Sequence, residues 1–396
     1  MQNYAEACDW ANAMIEDEKV IELREDGEAT GIEEERPDPN QEVVQIERPF
    51  DPDKIKVARE TKTVSLLCTR IDHDEIDLAP EFQRRARIWD QGRKGRLIES
   101  ILLRIPLPVF YVASDLRDVW SVVDGLQRMT TIHDFVNDEF PLRGLEYLVQ
   151  FEKAKFSELP RNMQRRIEET ELVINVIQPG TPEEVMFNIF SRINTGGITL
   201  NSQEIRHALN KGPVRSFLLD LVSTEEFKTA TSDSVSDVRM SARECALRFC
   251  AFYLSDWKDY KNNDLDGFLN AAMKRINEMS EEARDELKSA FKRSMSASYK
   301  VLGDEAFRKR YRPDASKSPI SKALFETWSV ALSKLGDQQV SDLAENGSAI
   351  HQKFMSTLKE DRDFEVSISY ATGVPGRVHK RFSTIEKLVH GEIENA

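Results

Sequence analysis

The sequence predicts an α+β protein in which a small mixed-sheet domain is followed by a mostly α-helical domain. Runs rich in β-branched and aromatic residues at 109–112, 119–123 and 172–177 alternate with amphipathic stretches of helical spacing. Strand signals become sparse beyond these runs. From about residue 213 apolar residues recur with a 3.6-residue period, and 281–299 has few helix breakers.

The composition is that of an ordinary globular protein with an acidic excess. A chain of 396 residues can form two or three domains. Its 55 basic and 69 acidic residues give a net charge of −14, so contact with nucleic acid would need a local basic face. The four cysteines form no CxxC pair, which argues against a zinc ribbon and for a reducing compartment. The sequence contains no recognisable signal peptide and no apolar run of about 18 residues, so we expect a cytoplasmic protein without membrane contact.

The first 56 residues are acidic and poor in core-forming side chains. This composition predicts a flexible arm over 1–56 with at most one helix, near 4–18. The arm could be a flap that mimics nucleic acid and covers a basic groove. It could equally be a solvated tail that improves solubility.

Ordered structure is predicted to begin near residue 61. Apolar spacing suggests a short helix at 64–71, and 76–78 could be one strand. Asp90 can cap a helix that runs to about residue 103 and stops before Pro106. The runs 109–112 and 119–123 then form a hairpin braced by that helix.

The loop at 80–90 interleaves arginine and amide side chains with aromatic rings. Gln83 and Arg84 follow Phe82, and Trp89 precedes the helix cap. Guanidinium groups suit bidentate phosphate binding, and Trp89 offers a flat face for a base. A plain exposed loop could hold the same residues.

The strand at 119–123 is followed by Asp124, Gly125, Gln127 and Arg128 at the start of an amphipathic helix. A strand that turns into a helix here brings free backbone N–H groups beside a carboxylate, an amide and a guanidinium. This arrangement favours an anion, most naturally phosphate. The alternative is that Asp124 caps the helix and its neighbours are surface residues.

A second polar turn follows the central strand predicted at 172–177. Thr181 and Pro182 begin a helix that ends at Gly196, with Arg192 and Asn194 near its end. Asn201 caps the next helix. From the local pattern alone, these are two capped helices joined by a turn, with Arg192 and Glu204 forming a structural ion pair.

The last basic stretch of the chain contains Arg377, Lys380 and Arg381 after a Gly/Pro-containing loop. These side chains could hold DNA phosphates. The start of a solvated helix explains them as well.

Four ordered segments carry a family resemblance. They are PEFQRRARIWD, RLIESILLRIPLPVFYV, VVDGLQRMTTIHDF and VMFNIFSRINTGGITLNSQEIRHAL. In this order they resemble the DGQQR-motif family, which includes the N-terminal domain of GmrSD-type modification-dependent restriction enzymes. The resemblance covers about 61–221 and implies a fold similar to the ParB/sulfiredoxin-like domain. The expected domains are therefore the arm at 1–56, a nucleotide-binding domain at 57–221 and a helical domain at 222–396.

The resemblance implies that the chain binds and hydrolyses an NTP, with Mg²⁺ as a candidate cofactor, in a system that senses modified or foreign DNA. Carried over by position, the catalytic candidates are Asp124, Gln127 and Arg128, with Asp124 also a candidate metal ligand. The nucleotide-binding candidates are Gln83, Arg84, Gly125, Arg192 and Asn194. The sequence departs from the motif at Leu126, where the family usually has a glutamine.

Two kinds of function therefore stay open. In one the protein is a nucleotide-hydrolysing component of a restriction or phage-defence system. In the other it is a non-catalytic module that uses the same anion pocket to bind DNA or a partner. The six histidines form no HNH-like cluster and the chain has no GxxxxGK[ST] loop, so we expect a partner nuclease to supply DNA cleavage.

Overall fold

The chain divides into two units, which the computed structural model describes over most of their length. The described residues are 21–23, 29–36, 56–78, 89–182, 185–187, 189, 201–313 and 316–393. One unit is built from residues 46–209, and we call it the sheet unit. The other combines residues 1–45 with 210–396, and we call it the helical unit. The sheet unit is thus inserted, in sequence, into the helical unit.

The described strands form two sheets. They are β1 (Ile21–Leu23), β2 (Ala29–Glu33), β3 (Val57–Thr63), β4 (Ile76–Asp77), β5 (Phe110–Ser114), β6 (Trp120–Asp124) and β7 (Glu171–Ile177). β1 and β2 form an antiparallel pair, whereas the other five form one mixed sheet in the order β3-β7-β5-β6-β4. The sheet confirms the mixed α+β architecture that the sequence predicts.

The larger sheet contains both strand features expected from the sequence. β5 and β6 pair antiparallel, so the predicted hairpin is present. β7 lies inside the sheet, antiparallel to β3 and parallel to β5, as its nearly continuous apolar sequence suggested. β4 adds a parallel edge beside β6. The ends of β5 and β6 therefore lie next to each other.

Helices cover both faces of this sheet. They are α1 (Val64–Asp72), α2 (Gln91–Leu102), α3 (Leu126–Val136), α4 (Arg161–Glu168) and α5 (Ser202–Leu209). On one face, Ile174 of β7 belongs to a buried cluster with residues of α1 to α4. On the other face, Val123 and Ile177 pack with Ile205 of α5. The sheet is thus buried on both sides, which fixes the position of the β6–α3 turn at its edge.

Two helix starts follow the predicted capping chemistry. The Asp90 side chain accepts a hydrogen bond from the Arg93 N–H at 2.8 Å. Asn201 and Glu204 cap α5 reciprocally: Asn201 Oδ1 accepts from the Glu204 N–H at 2.9 Å, and Glu204 Oε2 accepts from the Asn201 N–H at 2.8 Å. Local sequence therefore determines where these helices begin.

The helical unit contains no large sheet among its described residues, as predicted. Its helices are α6 (Pro213–Val222), α7 (Glu225–Thr231), α8 (Ser241–Leu254), α9 (Leu265–Glu278), α10 (Glu281–Leu302), α11 (Lys322–Ser333), α12 (Asp337–Glu345), α13 (Gly347–Glu360), α14 (Arg362–Ser369) and α15 (Pro375–Ile393). The helix predicted at 281–299 corresponds to α10. No helix in the described part of the chain is long and apolar enough to cross a bilayer.

The N-terminal region differs from the expected flexible arm at residues 21–23 and 29–36. Ile32 is fully buried in the core of the helical unit. The Glu33 N–H donates to Ile320 O at 2.8 Å, and the Ile320 N–H donates to Gly31 O at 2.9 Å. Glu35 pairs with the buried Arg248 at 2.8 Å. These acidic residues are therefore part of a folded unit, and their partners lie more than 200 positions away in sequence.

The boundary between the units also differs from the predicted position at residue 221. The structure divides the chain between Leu209 and Asn210. α6 belongs to the helical unit because Val214, Leu218 and Leu221 are buried in that unit's core. The difference arises because the first amphipathic helix after the sheet unit carries no sequence mark of the core it joins.

Candidate functional site

The β6–α3 turn requires glycine at position 125. Gly125 has φ 94° and ψ 11°, a left-handed conformation that residues with a Cβ rarely adopt. A Cβ built there would lie 2.4 Å from Cδ1 of Phe110. The close neighbour is the ring at the start of β5. The turn directs the first turn of α3 to the edge of the sheet.

Arg128 is held by several groups at this turn. Its Nη2 donates to Asp124 Oδ2 at 2.8 Å and to the Val109 carbonyl at 3.4 Å, while Nη1 donates to the Pro108 carbonyl. The guanidinium carbon lies 4.4 Å from the centroid of the Phe110 ring. Burial lowers the pKa of Arg128, and the charge of Asp124 partly opposes this. Arg128 therefore links the end of β6 to the start of β5.

Asp124 is an ion-pair partner and does not cap the helix. The N-cap of α3 is Gly125, which makes no side-chain capping bond. The Asp124 side chain is 29% exposed and the Arg128 side chain 12%, so the pair is shielded from water on the arginine side. The capping alternative considered from sequence is therefore wrong. The carboxylate instead balances a largely buried cation.

The described residues do not fit a protein-held Mg²⁺ at Asp124. A guanidinium already occupies one side of this carboxylate, and a second cation there would be repelled by it. Within the described ranges no group of three His, Cys, Asp or Glu side chains could hold a metal ion. No step of the chemistry is therefore assigned to a metal bound by this chain.

Leu126 and Gln127 differ in how the helix presents them. Leu126 is partly buried and packs against the core of the sheet unit. Gln127 is half-buried in the first turn of α3. The apolar residue at 126 thus contributes packing, and Gln127 supplies an amide in the first turn of α3.

Four predicted nucleotide-binding residues lie outside the described residues: Gln83, Arg84, Arg192 and Asn194. The described site therefore consists of Asp124, Gly125, Gln127 and Arg128. The sequence did not identify Phe110 or the carbonyl groups of residues 108 and 109 as partners of Arg128. No local signal marks them, because the hairpin brings them together from 18 to 20 positions away.

The C-terminal basic residues do not form the exposed surface that contact with DNA would require. Arg381 is fully buried, and its Nε donates to Glu326 Oε1 at 2.8 Å. Lys380 pairs with Asp361 at 2.7 Å, and the Arg377 guanidinium donates to Tyr370 O at 2.7 Å. Arg381 is thus wrong as a DNA contact, because the helix turns it into the core. Lys380 and Arg377 are half-buried and make these contacts within the unit.

The site is a strand–glycine turn–helix at the edge of a mixed sheet, with an arginine anchored across the turn. Residues 66–210 match the family described as GmrSD restriction endonuclease, N-terminal domain. The match covers less than half of the chain and includes the whole β6–α3 turn. It confirms the resemblance to the N-terminal domain of GmrSD-type restriction enzymes. No curated protein and no solved structure matches the chain significantly.

Proposed function

We propose that the protein is a nucleotide-binding component of a restriction system and that the nucleotide phosphates bind at the β6–α3 turn. The observation that supports this most directly is the anchored Arg128 beside a glycine-dependent helix start. The match of residues 66–210 to a restriction endonuclease domain supports the biological setting. In this proposal the chain binds the nucleotide within a system that recognises DNA. A partner nuclease supplies DNA cleavage.

Arg128 has donors left for a phosphate after its contacts within the turn. A guanidinium carries five N–H groups, and three contacts to Asp124, Pro108 and Val109 fix its plane. An anion at the start of α3 would also meet the positive end of the helix dipole. Asp124 holds the guanidinium in place and partly offsets its positive charge. Because the remaining attraction is weaker, a phosphate bound here would also need hydrogen bonds from backbone N–H groups.

Hydrolysis would need a group that orients an attacking water. Gln127 is the described side chain suited to this role, since its amide can both donate and accept a hydrogen bond. In the proposal Asp124 positions Arg128, and Gln127 contacts the terminal phosphate or the water. The Mg²⁺ that accompanies an NTP would enter as part of the substrate.

A non-catalytic binding module is the second candidate, and the packing of Leu126 favours it. Leu126 contributes to the core and cannot hydrogen-bond a phosphate or a water. A site with one amide can still bind an anion, whereas turnover depends on each group that orients the reactants. Binding without hydrolysis is the result that would select this candidate.

The test is calorimetric titration of the full chain with ATP and with GTP, with and without Mg²⁺, followed by measurement of phosphate release. We expect Gln127→Ala to weaken binding or abolish release. Gln150→Ala is the matched control, because Gln150 is an exposed amide in the short 3₁₀ helix Val149–Phe151. Absence of binding of either nucleotide by the parent would refute the proposal. Binding with no release in the parent would select the binding module.

A further inference from the structure

β3 forms a long open edge of the mixed sheet. It is the terminal strand in the order β3-β7-β5-β6-β4, and it is seven residues long. The strand at the opposite edge, β4, has only two residues. Proteins commonly protect sheet edges with short strands, proline, bulges or a covering segment. β3 contains no proline, and its register with β7 runs from one end to the other without a shift. Its geometry is therefore suited to accept a further strand.

The hydrogen bonds at the two ends of β3 show which main-chain groups face outward. The Gln178 N–H donates to Lys56 O at 2.8 Å, and the Val64 N–H donates to Thr170 O at 3.0 Å. Both bonds continue the antiparallel β3–β7 register, in which hydrogen-bonded positions alternate with positions that are not hydrogen-bonded. The even-numbered residues of β3 therefore bond to β7, and the N–H and C=O groups of the odd-numbered residues point away from it.

The outward-facing positions of β3 are open to solvent. Val57, Arg59 and Thr61 are exposed, Val57 to 45%. Within the described ranges, no hydrogen bond reaches the main-chain N–H and C=O groups of these three residues. The strand thus presents donors and acceptors at the spacing of an antiparallel ladder.

The charges of β3 are complementary to those of a second β3. Glu60 and Lys62 lie on the same face of the strand, and Lys62 Nζ is 3.0 Å from Glu60 Oε2. In an antiparallel pair centred on Thr61, Glu60 of each copy lies opposite Lys62 of the other. These are non-hydrogen-bonded positions, at which opposite side chains approach most closely. Opposite charges placed in this way stabilise a strand pair.

Other registers of the same pairing place like charges opposite each other. A pair centred on Glu60 would overlap over more residues, but it sets two carboxylates against each other. A pair centred on Arg59 or on Lys62 sets two cations against each other. Like charges in directly opposite positions are destabilising. Charge therefore selects the register centred on Thr61, and that register is self-complementary, as a two-fold symmetric interface requires.

We propose that β3 pairs antiparallel with β3 of a second copy of this chain, in the register centred on Thr61. The two five-stranded sheets then join into one continuous sheet across a two-fold axis. β7 and β5 separate β3 from β6, so the β6–α3 turn lies away from this edge. The pairing does not depend on the proposed nucleotide site.

The test is sedimentation velocity of the full chain between about 1 and 200 µM, because a single strand pair is a small interface and gives a weak dimer. Glu60→Lys and Lys62→Glu should each weaken dimerisation at least about tenfold, since each places like charges opposite at two symmetry-related positions. The double variant Glu60→Lys/Lys62→Glu should restore dimerisation to within about threefold of the parent. An equimolar mixture of the two single variants should form a heterodimer, although neither associates with itself.

A main-chain variant tests the ladder independently of charge. Thr61→Pro removes the outward N–H at the centre of the interface but no bond to β7, so the sheet should tolerate it. We expect Thr61→Pro to abolish the dimer and Thr61→Ala, which keeps the N–H, to retain it. Glu139→Lys is the matched charge control, because Glu139 is exposed in the loop after α3. Its dimerisation should stay within about twofold of the parent.

Three results would overturn the proposal. The first is a parent that stays monomeric over the whole concentration range. The second is a dimer that persists in Thr61→Pro and in both single charge variants, since the association would then use another surface. The third is a failure of the double charge variant to restore the dimer while its melting temperature equals that of the parent. Nucleotide titration of the same variants should give the parent's affinity, so loss of the dimer and loss of the nucleotide site are distinguishable.

Discussion

Replacement of Arg128 by alanine tests whether the turn depends on its ion pair. The change removes the bond to Asp124, the bonds to the carbonyl groups of Pro108 and Val109, and the contact with the Phe110 ring. It leaves Asp124 and the two carbonyl groups without this partner. We therefore expect a loss of stability in the sheet unit in addition to any loss of nucleotide binding.

The expected magnitude follows from the exposure of the pair. Fully exposed ion pairs contribute about 0–1 kcal/mol, whereas removal of one partner of a buried pair costs about 3–5 kcal/mol. The Arg128 side chain is 12% exposed and that of Asp124 29%, so the pair lies between these limits. Because the hydrogen bonds to two carbonyl groups are also lost, the free energy of unfolding should fall by about 2–4 kcal/mol.

Hydrogen exchange followed by mass spectrometry gives a local readout in a chain of two units. Amides of residues 110–136 should exchange roughly 30- to 700-fold faster in Arg128→Ala, since 1.4 kcal/mol is a factor of ten. A double-mutant cycle that combines Arg128→Ala with Asp124→Asn should give a coupling free energy of about 1–2 kcal/mol between the two side chains. Arg161→Ala, at an exposed pair, is the control and should change exchange little. Exchange within threefold of the parent in Arg128→Ala would refute this reasoning.

Three other changes have defined outcomes. Gly125→Ala places a Cβ in a left-handed turn against the Phe110 ring. Urea titration should therefore show that the free energy of unfolding falls by about 2–3 kcal/mol. A change below about 0.5 kcal/mol would contradict the close contact with the ring. Burial alone would raise the pKa of Glu99. Its hydrogen bonds from backbone N–H groups lower the pKa by a larger amount, so the folded pKa lies below the usual value. The stability that the Glu99 carboxylate contributes is present above its unfolded pKa of about 4.3 and is lost as the pH falls through the folded pKa. The difference in unfolding free energy between the parent and Glu99→Gln should therefore shrink on acidification. A difference that does not change with pH would contradict this. Arg381→Met removes the partner of the fully buried Glu326, so the urea midpoint of the helical unit should fall by an amount equivalent to about 3–5 kcal/mol, whereas an unchanged midpoint would show that Arg248 suffices to balance that carboxylate.

Local signals in the sequence predict much of the sheet unit. The β5–β6 hairpin, the interior position of β7 and the caps at Asp90 and Asn201 follow from patterns within a few residues. The position of Gly125 at the helix start follows for the same reason. The partners of Arg128 do not, because the hairpin sets their positions through space.

In the C-terminal basic stretch, positive charge alone does not predict exposure, because exposure depends on helical phase. Arg381 belongs to the same stretch as Arg377 and Lys380, yet it lies on the buried side of α15 with Phe382 and Ile385. The periodic apolar residues around it contain this information. The ion pair between Glu35 and Arg248 is different in kind, since no local pattern relates positions so distant in sequence.

The pairing of β2 with the segment around Ile320 has a consequence for synthesis on the ribosome. Ile32 emerges first, but its bridge partner, Ile320, follows roughly 290 residues later. At about 5–20 residues per second this delay is roughly 15–60 s. The sheet unit can complete its fold during that time, whereas the helical unit must await its own last helices. We therefore expect a nascent chain arrested near residue 250 to protect residues 110–136 from protease while residues 21–36 are still cleaved.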